Sequence, residues 1–150
     1  MGLKIEYIDG QTPLSEEEKD DLKIPSIWKW AGTFRNSEKN LGIKSYLIPV
    51  QLKQLLDDTL FWHENNTYPT AELAIRFKHQ LVSVHCFPNG NGRHSRLMAD
   101  LIMEKLFHQS FFTWGSNNLN KANESRKNYI NAVRKADNYD IQPLITFANS

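Results

Sequence analysis

The chain has 150 residues and a mass of 17.4 kDa, with 40% hydrophobic and 23% charged residues. That is the size and composition of one globular domain able to bury a core. A net charge of +1 supplies no overall field to draw it to nucleic acid or membrane, a single cysteine excludes an internal disulfide, and no apolar run approaches the ~18–20 residues of a membrane span. Met1–Gly10 has no signal-peptide profile, so the expected compartment is the cytoplasm.

In chain order, residues 1–26 carry seven acids and three bases, net −4. Ser15 and Glu18 form a capping box for a short acidic helix over about Ser15–Leu22. Between Thr33 and Ile48 the pattern changes. Gly42 and the run Ile43–Leu47 suggest a small β-hairpin. Pro49 suits the first turn of a helix with Val50, Leu52, Leu55, Leu56, Phe61 and Trp62 as its apolar positions. Pro69 opens a second, with Leu73, Ala74, Phe77, Leu81 and Val84 at helical spacing. Leu97, Leu101, Ile102 and Leu106 mark a third, and Tyr129, Ile130, Val133 and Ala136 a fourth. A short helix around Pro143–Ala148 closes the chain. The fold expected is all-α with one small hairpin at about 33–48. Trp28, Trp30, Trp62 and Trp114 are expected in the core, with Cys86 as a small buried side chain.

Between Leu73 and Ala99 there is no acid, yet Arg76, Lys78, Arg93 and Arg96 lie there with three of the five histidines. The informative stretch is His85-Cys86-Phe87-Pro88-Asn89-Gly90-Asn91-Gly92-Arg93-His94-Ser95-Arg96, which follows one expected helix and opens the next. Gly90-Asn91-Gly92 lets the backbone bend tightly and approach a ligand. Backbone N–H groups at a helix start make an anion cradle, and Asn91 is either an N-cap or a side-chain donor to phosphate. Helix first turns ordinarily hold acids, but here Arg93 and Arg96 project three apart from one face. Guanidinium forks match phosphate oxygens, so a di- or triphosphate answers the pattern. His85, just before the cradle, is a side chain able to accept a proton near neutrality. Together they suggest a hydroxyl activated to attack phosphorus. A Walker loop needs Lys-Ser or Lys-Thr after its last glycine and a Rossmann loop needs a preceding strand, so neither fits. His63, His79, His94 and His108 have no ligand spacing, which disfavours zinc.

The pattern His-x-Phe-x-x-Gly-Asn-Gly-Arg-x-x-Arg resembles the signature of the Fic (Fic/Doc) domain. Trp30-Ala31-Gly32 followed by Arg35 resembles the start of that family's flap hairpin. Tyr129-Ile130, Ala132, Ala136-Asp137, Asp140, Pro143-Leu144 and Phe147 resemble its closing helices. About residues 27–150 resemble the subfamily called mobile mystery protein B, leaving 1–26 as an acidic N-terminal segment abbreviated relative to the family.

The resemblance implies protein adenylyl transfer (AMPylation): AMP passes from ATP to a Ser, Thr or Tyr hydroxyl of a target protein. His85 would be the general base. Gly90, Asn91 and Gly92 would cradle the α- and β-phosphates. Arg93 would hold the β-phosphate and assist the leaving group, and Arg96 would meet the γ-phosphate. Phe87 would be buried to anchor the loop. The hairpin, with Lys44, Ser45 and Tyr46, would dock the target as an added strand. Mg²⁺ is implied beside ATP. Asn89 stands where active members carry Asp or Glu for the metal, so its amide oxygen is the candidate ligand. The family's inhibitory helix is not matched: Thr12 and Glu16 have the spacing, but Glu17 follows. Beside a target protein, the resemblance admits an antitoxin-like or regulatory partner. Two alternatives stand. One is a weakly active or inactive nucleotide-binding or toxin–antitoxin-like module. The other is a Doc-like phosphotransferase, which the intact Gly90–Arg93 run disfavours.

Overall fold

The computed structural model describes residues 32–116 and 122–150. The expected helix at Ser15–Leu22, with Trp28 and Trp30, lies outside them. Among the described residues there are five α-helices and no strand. They are α1 (Ile48–Glu64), α2 (Thr70–Val84), α3 (Asn91–Leu101), α4 (Ala122–Asp137) and α5 (Gln142–Ala148). The all-α fold is as expected, and so is the order of its helices.

Local chemistry sets the helix ends. Proline stands in the first turn of α1 and of α5, where its missing N–H leaves no helical bond unmade. The apolar positions read for α2 are buried, joined by Ile75 and Lys78. The reading of α1 needs correction. Its buried positions are Ile48, Leu55 and Thr59, whereas Val50, Leu56 and Phe61 are all more than half exposed. Trp62 is half-buried against the ring of Tyr68. The third expected helix reaches Leu106 only by loosening. α3 ends at Leu101, and Ile102–Leu106 continues as a wider π-type turn.

Two apolar clusters support these helices. The larger gathers Ala74 and Ile75 of α2, Ala99 of α3, Trp114, Ala132 of α4 and Leu144 of α5. The smaller holds Ile48 and Leu55 of α1, Phe77, Leu81 and Val84 of α2, and Cys86. Each fully buried Leu or Ile contributes about 1.5–3 kcal/mol. Trp114 is 1% exposed, and its indole N–H donates to both carboxylate oxygens of Asp100 at 3.1 Å. Asp100 Oδ1 also accepts the Phe112 N–H at 3.2 Å. The N–H groups of Thr113 and Trp114 donate to the carbonyl of Ala148 at 2.9 Å. A segment without regular structure is thus tied to α3 on one side and to the end of α5 on the other.

The expected hairpin at 33–48 is not formed. Residues 33–44 are irregular, Ser45–Leu47 make one 3₁₀ turn, and α1 begins at once. The physical reason is where the backbone groups bond. Arg35 N–H donates to Cys86 O at 2.9 Å and Ile43 N–H to Val84 O at 3.5 Å. Those partners belong to the end of α2 and the loop after it, not to a second strand. No described helix is long and apolar enough to cross a membrane.

Candidate active site

The signature segment begins where α2 ends. His85 terminates that helix in the left-handed conformation, φ 57° and ψ 58°. Glycine usually takes this place, so a histidine here carries strain of about 1–2 kcal/mol. The chain then turns through Cys86–Asn89 and reaches Gly90, also left-handed at φ 76°, which opens α3. Glycine meets that requirement without a Cβ clash.

Asn91 closes the loop. Its Oδ1 accepts the Phe87 N–H at 2.9 Å, and its Nδ2 donates to the Phe87 carbonyl at 2.8 Å. The side chain is 5% exposed and its amide is engaged at both ends. Neither of the two side-chain roles expected for it is the one observed: Gly90 is the N-cap of α3, and the Asn91 amide bonds the Phe87 backbone. It clamps the turn rather than reaching outward as a donor. Phe87, expected buried, is half-buried and rests edge-on to His94 with centroids 4.9 Å apart. Burial holds His94 below the ordinary imidazole value. Burial pushes the Cys86 thiol up to about 11, so it stays protonated and inert near neutrality.

The N–H groups of Asn91, Gly92 and Arg93 stand in the first turn of α3, where the helix offers no acceptor. Gly92 has nothing within 4 Å of the place a Cβ would occupy, and its φ is not positive. Neither packing nor backbone conformation calls for glycine there. A glycine inside a helix costs about 1 kcal/mol against alanine. What it leaves is room at the mouth of the helix.

That room belongs to a cleft of about 530 Å³. His85, Asn89, Gly90, Asn91, Gly92, Arg93 and Arg96 all line it. The structure therefore brings the expected base, cradle and both arginines to one cavity. Arg93 and Arg96 are 2% and 1% exposed. The opposite wall is α4. Tyr129, Ile130 and Val133 supply its apolar part, with Arg126, Arg134 and Asp137 around them. Of this wall, Tyr129, Ile130 and Val133 were expected as apolar positions of a helix, not as the lining of a cleft. Tyr129 lines the cleft and packs against Phe147. Its hydroxyl accepts from Lys78 Nζ at 2.6 Å, and the Arg96 guanidinium lies 5.4 Å from its ring centroid. Lys78 is fully buried, and burial lowers its titration value. Asp137 is paired with His79 at 2.7 Å.

The remaining candidates lie at the edges. Lys44 and Tyr46 are exposed, and Ser45 donates from its N–H and Oγ to Glu38 Oε1 at 3.0 and 2.9 Å. Those bonds hold Glu38 below the usual carboxylate range. Asn89 is exposed, and its Oδ1 accepts the Gly90 N–H at 2.7 Å. It is a single neutral oxygen, and among the described residues no three His, Cys, Asp or Glu group to hold a metal. Mg²⁺ favours carboxylates together with phosphates. This donor set does not build a resident Mg²⁺ site.

Two residues beside His85 drew little from sequence reasoning. Arg35 is 3% exposed and donates from Nε to His85 O at 2.5 Å. A Cβ on Gly42 would stand 2.5 Å from the Cβ of His85. The visible signal for Arg35 was its place after Trp30-Ala31-Gly32. For Gly42 it was a glycine read as a hairpin turn.

An all-helical domain with an anion-ready helix start, two buried arginines and a histidine on one cleft defines the class. The model of the Fic/DOC family matches residues 13–103, more than half of the chain, and the chain belongs to that family. Solved structures share the fold. Fic-1 (residues 134–508) from C. elegans superposes with a TM-score of 0.66 at 23% identity, over 90% of this chain and 42% of that one. A Fic-domain-containing signaling protein from Bacteroides thetaiotaomicron gives 0.63 at 19% identity, over 93% and 59%. The chain thus spans about half the length of these structures.

Proposed function

We propose that the chain is a protein adenylyltransferase that moves AMP from ATP to a Ser, Thr or Tyr hydroxyl of a target protein. The observation that carries this reading is the convergence of His85, the first turn of α3, Arg93 and Arg96 on one cleft. The chemistry balances simply. His85 takes the proton of the incoming hydroxyl. The hydroxyl oxygen bonds to the α-phosphorus, and the bond from that phosphorus to the bridging oxygen breaks. The electron pair leaves on pyrophosphate. Arg93, Arg96 and the helix N–H groups hold its charge where it develops. The apolar part of the α4 wall receives the base. The target's backbone docks beside Lys44, Ser45 and Tyr46. Asn89 contributes at most one neutral oxygen to any metal that ATP brings, and no step here depends on it.

The Phe87–His94 run supports placing the chain near the mobile mystery protein B branch, and a buried, unbridged Cys86 suits the cytoplasm. An antitoxin-like or regulatory partner remains part of the proposal. Asn89, neutral where an acid serves active members, favours one competing reading: a nucleotide-binding regulatory module with little turnover.

ATP labelled at the α-phosphate, offered with a mixture of candidate targets, separates the readings. The expected result is α-label on protein, none from the γ-position, and a loss of about 10²-fold in His85→Ala with ATP affinity retained. Label from the γ-position would move the chain to Doc-like phosphotransfer. Bound ATP with no label from either position would leave the binding module.

A further inference from the structure

His85 faces the cleft from a strained backbone, and something must hold that backbone in place. The end of an α-helix leaves carbonyls without helical partners. A glycine-ended helix satisfies them with the N–H groups of the following turn. Here the Arg35 guanidinium does so from elsewhere in the chain. Nε donates to His85 O at 2.5 Å and Nη2 reaches Val84 O at 3.4 Å. Nη2 also donates to Ile43 O, and Nη1 to Ser37 O at 3.0 Å. The Arg35 backbone N–H adds Cys86 O at 2.9 Å. A cation is well placed at the negative end of a helix. One planar fork therefore ties three pieces of chain together: the end of α2, the backbone of His85, and residues 37–43.

Residues 37–43 press on the same point. Gly42, at φ 94°, sits so close that any Cβ there would overlap the Cβ of His85. Two residues on, Lys44 begins the stretch proposed to dock the target. The bonds from Ser45 to Glu38 pin the far end of this loop.

We infer that Arg35 is a positioning residue for His85, fixing the backbone of the base and locking it to the segment on which the target docks. The inference rests on the adenylyl-transfer reading for its kinetic consequence, though not for its structural one. Displacement of residues 37–45 by a docking partner is transmitted to the base through the guanidinium and the Gly42 contact. A lysine cannot replace this arrangement, because one ammonium lacks the planar fork that spans the carbonyls.

The test uses the full chain with its histidines labelled for NMR. In Arg35→Ala the His85 imidazole signals shift, kcat for AMP labelling falls by about 10-fold or more, and KM for ATP stays within about twofold. Arg35→Lys behaves like Arg35→Ala. Guanidinium ion, added to Arg35→Ala well below denaturing concentration, fills the vacated place and restores both the signals and kcat. Should Arg35→Ala not fold, Gly42→Ala takes its place. With Arg35 intact, it must still move the His85 signals while ATP affinity holds. Unmoved His85 signals in a folded variant would overturn the inference. So would a loss of ATP affinity in step with labelling, which marks general damage to the loop. A wild-type chain that binds ATP without labelling anything sinks the adenylyl-transfer reading alone, and the His85 signals still decide the role of Arg35.

Discussion

Asn91→Asp sets two physical rules against each other. The first turn of a helix favours an acid by about 0.3–1 kcal/mol, and Arg93 and Arg96 stand nearby. By that rule alone the substitution stabilises. The ring between Asn91 and Phe87 predicts the reverse. The oxygen that accepts the Phe87 N–H survives the change, but the amide that donates to the Phe87 carbonyl becomes a second acceptor. One hydrogen bond is lost, worth about 0.5–1.5 kcal/mol, and a part-buried carbonyl now faces a carboxylate oxygen without a proton between them, worth about another 1–2 kcal/mol. After the gain at the helix end, a net loss of about 2 kcal/mol is expected at neutral pH. For a chain of this length that is roughly a 4–8 °C fall in Tm. The pH dependence carries the sharper signature. When protonated, the new carboxyl donates to the Phe87 carbonyl, so its folded-state value rises above the ordinary ~3.9. The deficit against wild type is then full well above that raised value and shrinks as pH falls through it. Urea unfolding of both proteins across the acidic range reads this directly. A variant as stable as wild type at neutral pH, or a deficit that does not narrow in acid, would refute the loop-closing role of Asn91.

Two further outcomes follow from the same site. Arg93→Ala and Arg96→Ala should each weaken ATP binding by about 1.5–3 kcal/mol, roughly 10- to 150-fold, in calorimetry on folded variants; unchanged affinity in both would place the phosphates elsewhere. Burial holds His94 below its ordinary value, so between 6.5 and that lowered value the unfolded chain binds a proton that the folded one does not. Stability therefore falls as pH drops below 6.5, and His94→Phe should flatten that slope in denaturant midpoints taken from pH about 7 to about 5. Equal slopes in the two proteins would contradict the burial argument.

How much of this could be read from sequence depended on whether the signal was local. The His85–Arg96 segment was legible because its departures are local: glycines at a helix start and cations where acids belong. The helices were legible through their apolar spacing, although α1 shows the limit of that method. Val50, Leu56 and Phe61 keep helical spacing yet face outward, since spacing alone does not say which face meets α2. The run Ile43–Leu47 has strand-like residues, but its neighbours satisfy backbone groups at the end of α2 instead of a ladder, and a proline at 49 turns the chain into α1. The α4 wall was hardest. Arg126, Arg134 and Asp137 look like a solvated helix face in one dimension, and only the packing of α4 across from α3 makes them part of a cleft. Asn91 was misjudged for a related reason: cap and phosphate donor were the roles its type and place suggested, and only the distances to the Phe87 backbone reveal it as a loop clamp.

The two apolar clusters divide the labour of the site in a way that matters for how it wears. Phe77, Leu81, Val84 and Cys86, in the smaller cluster, carry the backbone that presents His85. Ala132 and Ala136, in the larger one, carry the helix that faces it. The cleft is thus a seam between two supports joined through the spine of α2. If the proposed reaction holds, loosening the smaller cluster should blunt the chemistry and leave the far wall of the cleft standing. Loosening the larger one should weaken nucleotide binding while His85 keeps its posture. Lesions far from the cleft therefore sort into two kinds of failure, and the side of the spine on which a residue lies says which kind it is.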